Sequence, residues 1–159
     1  MTKVCQHLWF ARDMEAALRL YTRLVPGSSL DWMTTLPAES PAGPAGSVKI
    51  AGFTLGGQRY QAIEAGPLDP FNHSFSIMLE CEDQAELDRL WDALAEGGQI
   101  EQCGWLRDRW GLSWQIVPKR LGELMGDPDR EKAVRVAQAM LTMVKFDIAA
   151  LERAAAGQA

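Results

Sequence analysis

The sequence predicts an α+β fold of two tandem βαβββ modules with added C-terminal helices, and three observations carry that prediction. A strand, an Asp-led helix, a glycine stop and further strands occur twice, with Asp13 and Asp83 at corresponding positions. The tryptophan-rich stretch from Cys103 to Pro118 reads as two short strands joined by a tight Asp108-Arg-Trp-Gly111 turn. After Pro118 the pattern is helical to the end. A repeated β-α-β-β-β plan gives two small mixed sheets, each with a helix on its outer face.

At 159 residues the chain is expected to be a single domain. Its first module covers about residues 1–66 and its second about 73–118, with a helical extension over 119–159. Apolar residues make up 47% and charged residues 23%, as in soluble globular proteins. The formal net charge of −5 is spread along the chain. A nucleic-acid surface needs clustered Lys and Arg, so no nucleic-acid partner is expected. No apolar run reaches the length of a membrane span, and the first twenty residues carry Asp13 and Glu15 in place of an apolar signal core. The expectation is a cytoplasmic protein without a membrane partner. Cys5, Cys81 and Cys103 are odd in number and far apart, which fits reduced thiols and lacks zinc-site spacing.

In order, Lys3–Phe10 is the first strand, with Val4, Gln6, Leu8 and Phe10 on one face and Cys5, His7 and Trp9 on the other. Asp13 suits the N-cap of a helix from Met14 to about Leu24, with Ala17, Leu18, Tyr21, Leu24 and Val25 expected to share a buried face. Pro26-Gly27 stops it. Leu30–Leu36 is extended, and residues 37–46, with three prolines and two glycines, form a long hairpin loop. Val48–Leu55 and Arg59–Glu64 are strands joined by Gly56-Gly57, a dipeptide suited to primed turns.

Ser74–Glu82 is the next strand, with Phe75, Ile77 and Leu79 opposite Ser76, Met78 and Glu80. Asp83-Gln-Ala-Glu86 is a capping-box start for a helix with Leu87, Leu90, Trp91 and Leu94 in its buried stripe. Ile100–Cys103 and the two strands before Pro118 complete the module. Asp127-Pro-Asp129 and Asp147 cap the last two helices; the first carries Ala133, Val136, Ala137, Met140, Leu141 and Val144 as one apolar stripe.

The run CGWLRDRWGLSWQIVP, followed by LGELMGDPD, AVRVAQAMLTM and DIAALERA, resembles the PhnB-like branch of the vicinal oxygen chelate superfamily. The LWF of the first strand and the block SIMLECEDQAELDRLWDAL fit the same branch, whose members are often labelled 3-demethylubiquinone-9 3-methyltransferase-like. The resemblance implies the glyoxalase-type fold, curved sheets around a cavity, and a homodimer. In metal-using members of the superfamily, it further implies His and Glu ligands on four strands. The corresponding positions here are Gln6, Glu64, Ser76 with His73 just before it, and Gln115, where Asp108-Arg-Trp-Gly-Leu-Ser-Trp-Gln115 ends on an amide instead of Glu. Neutral amides and hydroxyls bind a divalent cation more weakly than carboxylate or imidazole, so no cofactor is expected.

The candidate ligand-binding residues are therefore Gln6, Phe10, Glu64, Ser76, Gln115 and Trp110, facing a small organic molecule; no catalytic residue is assigned. By alternation Trp114 and Ile116 face away from Ser113, Gln115 and Val117, and Trp114 is expected in the core with Gln115 facing the cavity. His7 is expected beneath the first helix beside Trp9, and His73 is either a general base at the pocket mouth or a surface histidine. A methyltransferase of the usual nucleotide fold needs a glycine-rich turn after its first strand, and Cys5 to Asp13 contains no glycine. The leading expectation is a small-molecule binder without a catalytic apparatus. Its alternatives are a divalent-metal-dependent lyase, isomerase or dioxygenase, a methyltransferase, and a fold serving only dimeric assembly.

Overall fold

Gln6–Phe10 (β1), Met14–Leu24 (α1), Ser29–Thr35 (β2), Lys49–Leu55 (β3) and Gln58–Glu64 (β4) follow one another in a computed structural model that describes residues 3–158. The chain divides into two units with the break between Pro70 and Phe71. In the first, the sheet order is β1-β4-β3-β2, with β1 parallel to β4 and the other pairs antiparallel. The register places Leu8, Phe10, Ala51, Phe53, Tyr60 and Ala62 on one face, all nearly completely buried. Met14, Ala17, Leu18, Tyr21 and Leu24 of α1 bury their side of the helix over the same sheet. Each large apolar side chain withdrawn from water there contributes about 1.5–3 kcal/mol.

This packing corrects the expected facing of the first strand. Leu8 and Phe10 lie under α1, whereas His7 is exposed and Trp9 half-buried on the open face. Both alternating sets of β1 contain apolar residues, so its own pattern did not choose between them. Pairing with β4 did, because Leu8 and Phe10 extend the apolar row of Tyr60 and Ala62. Trp9 tolerates the open face because its indole N–H donates to Gly66 O at 2.9 Å.

The start of α1 is a second correction. Asp13 is left-handed at φ 56° and makes no side-chain cap bond. Instead Glu64 Oε1, from the end of β4, accepts the Met14 N–H at 2.8 Å. The β3–β4 turn agrees with expectation: Gly56 and Gly57 have φ of 56° and 83°, as a type I′ turn requires.

The second unit repeats the plan. Ser76–Cys81 (β5), Gln84–Ala95 (α2), Gln99–Ile100 (β6), Trp105–Arg107 (β7) and Ser113–Pro118 (β8) form a sheet of order β5-β8-β7-β6. Leu87, Leu90, Trp91 and Leu94 of α2 are buried, as are Ile77, Leu106, Trp114 and Ile116. Asp83 Oδ1 accepts the Glu86 N–H at 2.8 Å, and Glu86 Oε1 reaches back to the Glu82 N–H at 3.1 Å. That is the expected capping box, shifted back by one residue on its return arm. Burial pushes the Cys81 thiol up to about 12, which makes it an unreactive core group.

Lys119–Met125 (α3), Arg130–Met140 (α4) and Ile148–Ala155 (α5) complete the second unit. Asp129 and Asp147 cap α4 and α5 by accepting Lys132 and Ala150 N–H groups at 3.3 and 3.1 Å. The expected apolar stripe of α4 is cut short. Ala133 and Val136 are buried, but Leu141 and Val144 lie beyond the helix and are 64% and 39% exposed. The chain leaves the helix because Met143 O and Val144 O accept the Cys103 and Gly104 N–H groups at 2.9 and 2.8 Å. Phe146 follows, 1% exposed, against Gly104; a Cβ on that glycine would stand 2.4 Å from the Phe146 ring. The Gln84 side chain clamps the same segment, donating to Phe146 O at 3.0 Å and accepting Ile148 N–H at 2.8 Å.

Candidate functional site

The open face of the second sheet collects the polar chemistry. Cross-strand register sets Ser76, Ser113, Arg107 and Gln99 in one row, running from β5 to β6. The next row holds Met78, Gln115 and Trp105. Trp114, Ile116, Ile77 and Leu106 occupy the opposite, helix-covered face, with Trp114 and Ile116 at 0% exposure. The expected alternation of the last strand is therefore correct: Trp114 is core, and Gln115 lies on the open face.

A buried carboxylate fixes that register. Asp108, 3% exposed, accepts the Trp110 and Leu112 N–H groups on Oδ1 at 2.9 and 3.1 Å. Its Oδ2 accepts the Trp114 indole N–H at 2.9 Å. Gly111, at φ 89°, closes the turn by donating to Asp108 O at 2.9 Å. One side chain thus holds the β7–β8 turn and locks Trp114 into the core. Sequence reasoning placed Asp108 in the turn but missed this role; the signal was an Asp followed by Gly three and Trp six residues later.

On the open face, Gln115 Nε2 donates to Ser76 Oγ at 2.9 Å. Ser113, directly cross-strand from Ser76 and 0% exposed, has a hydroxyl with no hydrogen-bond partner among the described residues. At the edge, His73 Nε2 lies 2.8 and 3.1 Å from the two Glu101 oxygens, and the His73 and Trp105 rings are 6.0 Å apart. In the neutral tautomer that donates from Nε2, Nδ1 is left to accept a proton. Glu101 Oε2 also stands 3.4 Å from Arg107 Nε, too poorly aligned for a hydrogen bond. Arg107 is tied by its other end to the Gln99 side-chain oxygen.

Of the six residues expected to bind a ligand, Gln6, Phe10 and Glu64 lie in the first unit and Ser76, Trp110 and Gln115 in the second. Ser76 and Gln115 are brought together. Gln6 and Phe10 lie on the helix-covered side of the first sheet, with Phe10 1% exposed. Gln6 donates to the Gln58 side chain at 3.1 Å at the end of that sheet. Glu64 is the tertiary cap of α1, with Lys49 Nζ 3.9 Å away. Trp110 sits in the β7–β8 turn with the Arg109 guanidinium 4.2 Å over its ring. On the first sheet the open face belongs to His7, Trp9, Trp32, Gln61 and Ile63.

These placements bear on the metal implied by the superfamily. Glu64 is engaged by a backbone N–H under a helix, Gln6 shares its face, and Ser76 and Gln115 are neutral and bonded to each other. Among the described residues no group of three or more His, Cys, Asp or Glu side chains is placed to hold a metal ion. The donor set does not fit a divalent cation. Among the described residues, no helix is long and apolar enough to cross a membrane.

Comparisons with known proteins bear on the family and the fold. The profile of the family described as 3-demethylubiquinone-9 3-methyltransferase matches residues 2–117. The chain is similar to a putative 3-demethylubiquinone-9 3-methyltransferase, PhnB protein, from Bacillus cereus, at 29% identity and a TM-score of 0.63. That match covers 74% of this chain and 99% of the other. It is also similar to protein PA1353 from Pseudomonas aeruginosa, at 23% identity and a TM-score of 0.61, covering 74% and 98% of the two chains. The fosfomycin resistance protein FosX from Listeria monocytogenes shares the fold, at 13% identity and a TM-score of 0.52, covering 80% and 100%. No curated protein sequence matches. The repeated sheets with their outer helices are those of the glyoxalase-type fold, and the chain belongs to the PhnB-like, 3-demethylubiquinone-9 3-methyltransferase-like family of the vicinal oxygen chelate superfamily.

Proposed function

We propose that the protein binds a small, flat organic molecule on the open face of the second sheet and is a binder before it is a catalyst. The observation that carries this is the Gln115–Ser76 pair, two neutral polar groups joined at 2.9 Å with Trp105 cross-strand from Gln115. A few directional hydrogen-bonding groups beside an aromatic ring suit a moderately apolar ligand. The family description names a methyltransferase, but residues 11–13, between β1 and α1, are Ala-Arg-Asp, with none of the glycines that let a backbone approach a nucleotide. A second reading rests on His73, which Glu101 orients at 2.8 Å for proton transfer to or from the bound ligand.

In the same reading the chain works as one domain, in the cytoplasm, and as a homodimer, as the family resemblance implies. Single-transition unfolding and sedimentation equilibrium test the first and last of these. Binding is tested by thermal shift with a panel of simple quinones and phenols, since a ligand of the native state raises the melting temperature. Gln115→Leu is expected to keep the fold and weaken a hit by about tenfold to a hundredfold, the cost of a lost hydrogen bond in a buried site. A panel without hits, or a hit indifferent to Gln115→Leu, counts against the reading. His73→Gln leaves binding intact and removes turnover if the second reading holds.

A further inference from the structure

Between α4 and α5 the chain leaves helical structure over residues 143–146 and passes along the loop that joins β6 to β7. That loop carries both neighbours of His73. Glu101 engages His73 Nε2 at 2.8 Å, and the ring of Trp105, the first residue of β7, stands 6.0 Å from the imidazole. The ladder behind the loop has two pairs, Gln99–Arg107 and Ile100–Leu106. So short a hairpin is marginal by itself, and its loop needs support from outside.

The support comes from two sides. Gly104 O accepts the Ile116 N–H of β8 at 2.8 Å. On the other side Cys103 and Gly104 are both left-handed, at φ 56° and 80°, and give their N–H groups to Met143 O and Val144 O at 2.9 and 2.8 Å. Left-handed backbone is unfavourable for cysteine and persists where surrounding contacts impose it. The Cys103 thiol also donates to Met140 O at 3.7 Å, and the Phe146 ring fills the space that a side chain on Gly104 would need. Residues 143–146 are hooked in turn to α2. The Gln84 side chain holds Phe146 O and the Ile148 N–H, and Lys145 Nζ stands 2.9 Å from Asp88 Oδ1.

We infer that residues 143–146 are a strap that positions the β6–β7 loop and, through Glu101 and Trp105, orients His73. Phe146 is its main positioning residue: its ring seats Gly104, and the loop so seated carries the carboxylate. The match to the family profile ends at residue 117, so this support comes from beyond the matched region. The inference deepens the second reading above and rests on it for its purpose. Positioning is read on the protein alone, whereas failure of that reading shows as turnover that survives His73→Gln.

The test follows the His73 and Trp105 ring resonances of the intact protein by NMR, without ligand, and the nuclear Overhauser effect between the two rings. Glu101→Ala supplies the resonances of a released imidazole. Phe146→Ala is expected to move the His73 resonances toward those of Glu101→Ala and to abolish the effect to Trp105. Phe146→Leu, which keeps a large apolar side chain against Gly104, should restore most of both. Leu124→Ala, at a buried position of α3 outside the strap, should destabilise the protein and leave His73 unmoved. Gln84→Ala unhooks the strap from α2 without opening the core and should move His73 in the same direction; it decides the matter if Phe146→Ala does not fold. His73 resonances unchanged in a folded Phe146→Ala, or in Gln84→Ala where that variant does not fold, would overturn the inference. So would an equal change in Leu124→Ala.

Discussion

The two units solve the same topology with different chemistry. Each runs strand, helix and three strands, and each sheet pairs its first strand in parallel with its fourth. In the first, the helix start is capped from fifty residues away by Glu64; in the second, Asp83 and Glu86 cap it locally. The first unit turns its last hairpin on Gly56-Gly57, whereas the second anchors its turn on the buried Asp108 carboxylate. The open faces differ too, with His7, Trp9 and Trp32 on one and the Ser76–Ser113–Arg107–Gln99 row on the other. A repeated fold thus conserves the strand order and leaves each cap, turn and surface to be met by whatever side chains are in reach.

The largest expected effect breaks the anchor found only in the second unit. Asp108→Ala leaves the Trp110, Leu112 and Trp114 N–H groups without their acceptor, and should cost about 3 kcal/mol or more, since each buried donor left unsatisfied costs about 1–3 kcal/mol. Denaturant midpoints measure it; a loss below about 1 kcal/mol, the worth of an ordinary hydrogen bond, would show that the turn does not depend on the carboxylate.

One substitution should have two outcomes in the two units. Gly104→Ala drives a methyl into the Phe146 ring, buried to 1% exposure, at a left-handed φ of 80° that itself strains alanine, and should cost about 1–3 kcal/mol from overpacking alone. Gly52→Ala meets the Trp32 indole at 2.2 Å, but Trp32 is 44% exposed and can swing outward. Its cost should be smaller, and tryptophan emission should shift to the red. Equal losses would mean that Trp32 is held as firmly as Phe146.

The helix caps sharpen the contrast at about 1 kcal/mol each, the usual value of an N-cap. Glu64→Ala and Asp83→Ala should destabilise the whole protein similarly. Peptides should separate them: a peptide of residues 82–96 loses helix by circular dichroism when Asp83 is replaced. A peptide of residues 12–25 lacks its cap from the outset, so the same measurement finds it less helical.

The smallest effect concerns acid. The Gln84 amide and Lys145 hold the Asp88 carboxyl below its ordinary range, and Arg120 does the same for Glu152. Depressed carboxylates stabilise the fold above their unfolded values, near pH 4, and lose that contribution as pH falls through the lower folded values. Both are solvent-exposed pairs, so each contributes at most about 1 kcal/mol. Amide protection factors, which correct for the slower intrinsic exchange in acid, should therefore fall in α5 of the second unit at pH 3, and Glu152→Gln should abolish most of that pH dependence.

Much of the architecture was legible in the sequence because local signals agreed with one another. Glycine pairs, aspartate caps and alternation in Leu112–Val117 reported strand order, the type I′ turn and the inward Trp114, each within a few residues of its cause. The site was less legible. Both faces of β1 carry apolar residues, so only pairing with β4 decided that Phe10 goes under α1 and His7 to the open face. Leu141 and Val144 continue the helical period, but Cys103 and Gly104 draw the chain away through backbone bonds that no local pattern records. Glu64 looks like a metal ligand by position and becomes a cap because α1 begins beside it. Composition and periodicity determined which elements form, since those depend on neighbours in the chain. The tertiary structure alone decided which face each element shows and which groups meet there, because those depend on partners tens of residues away.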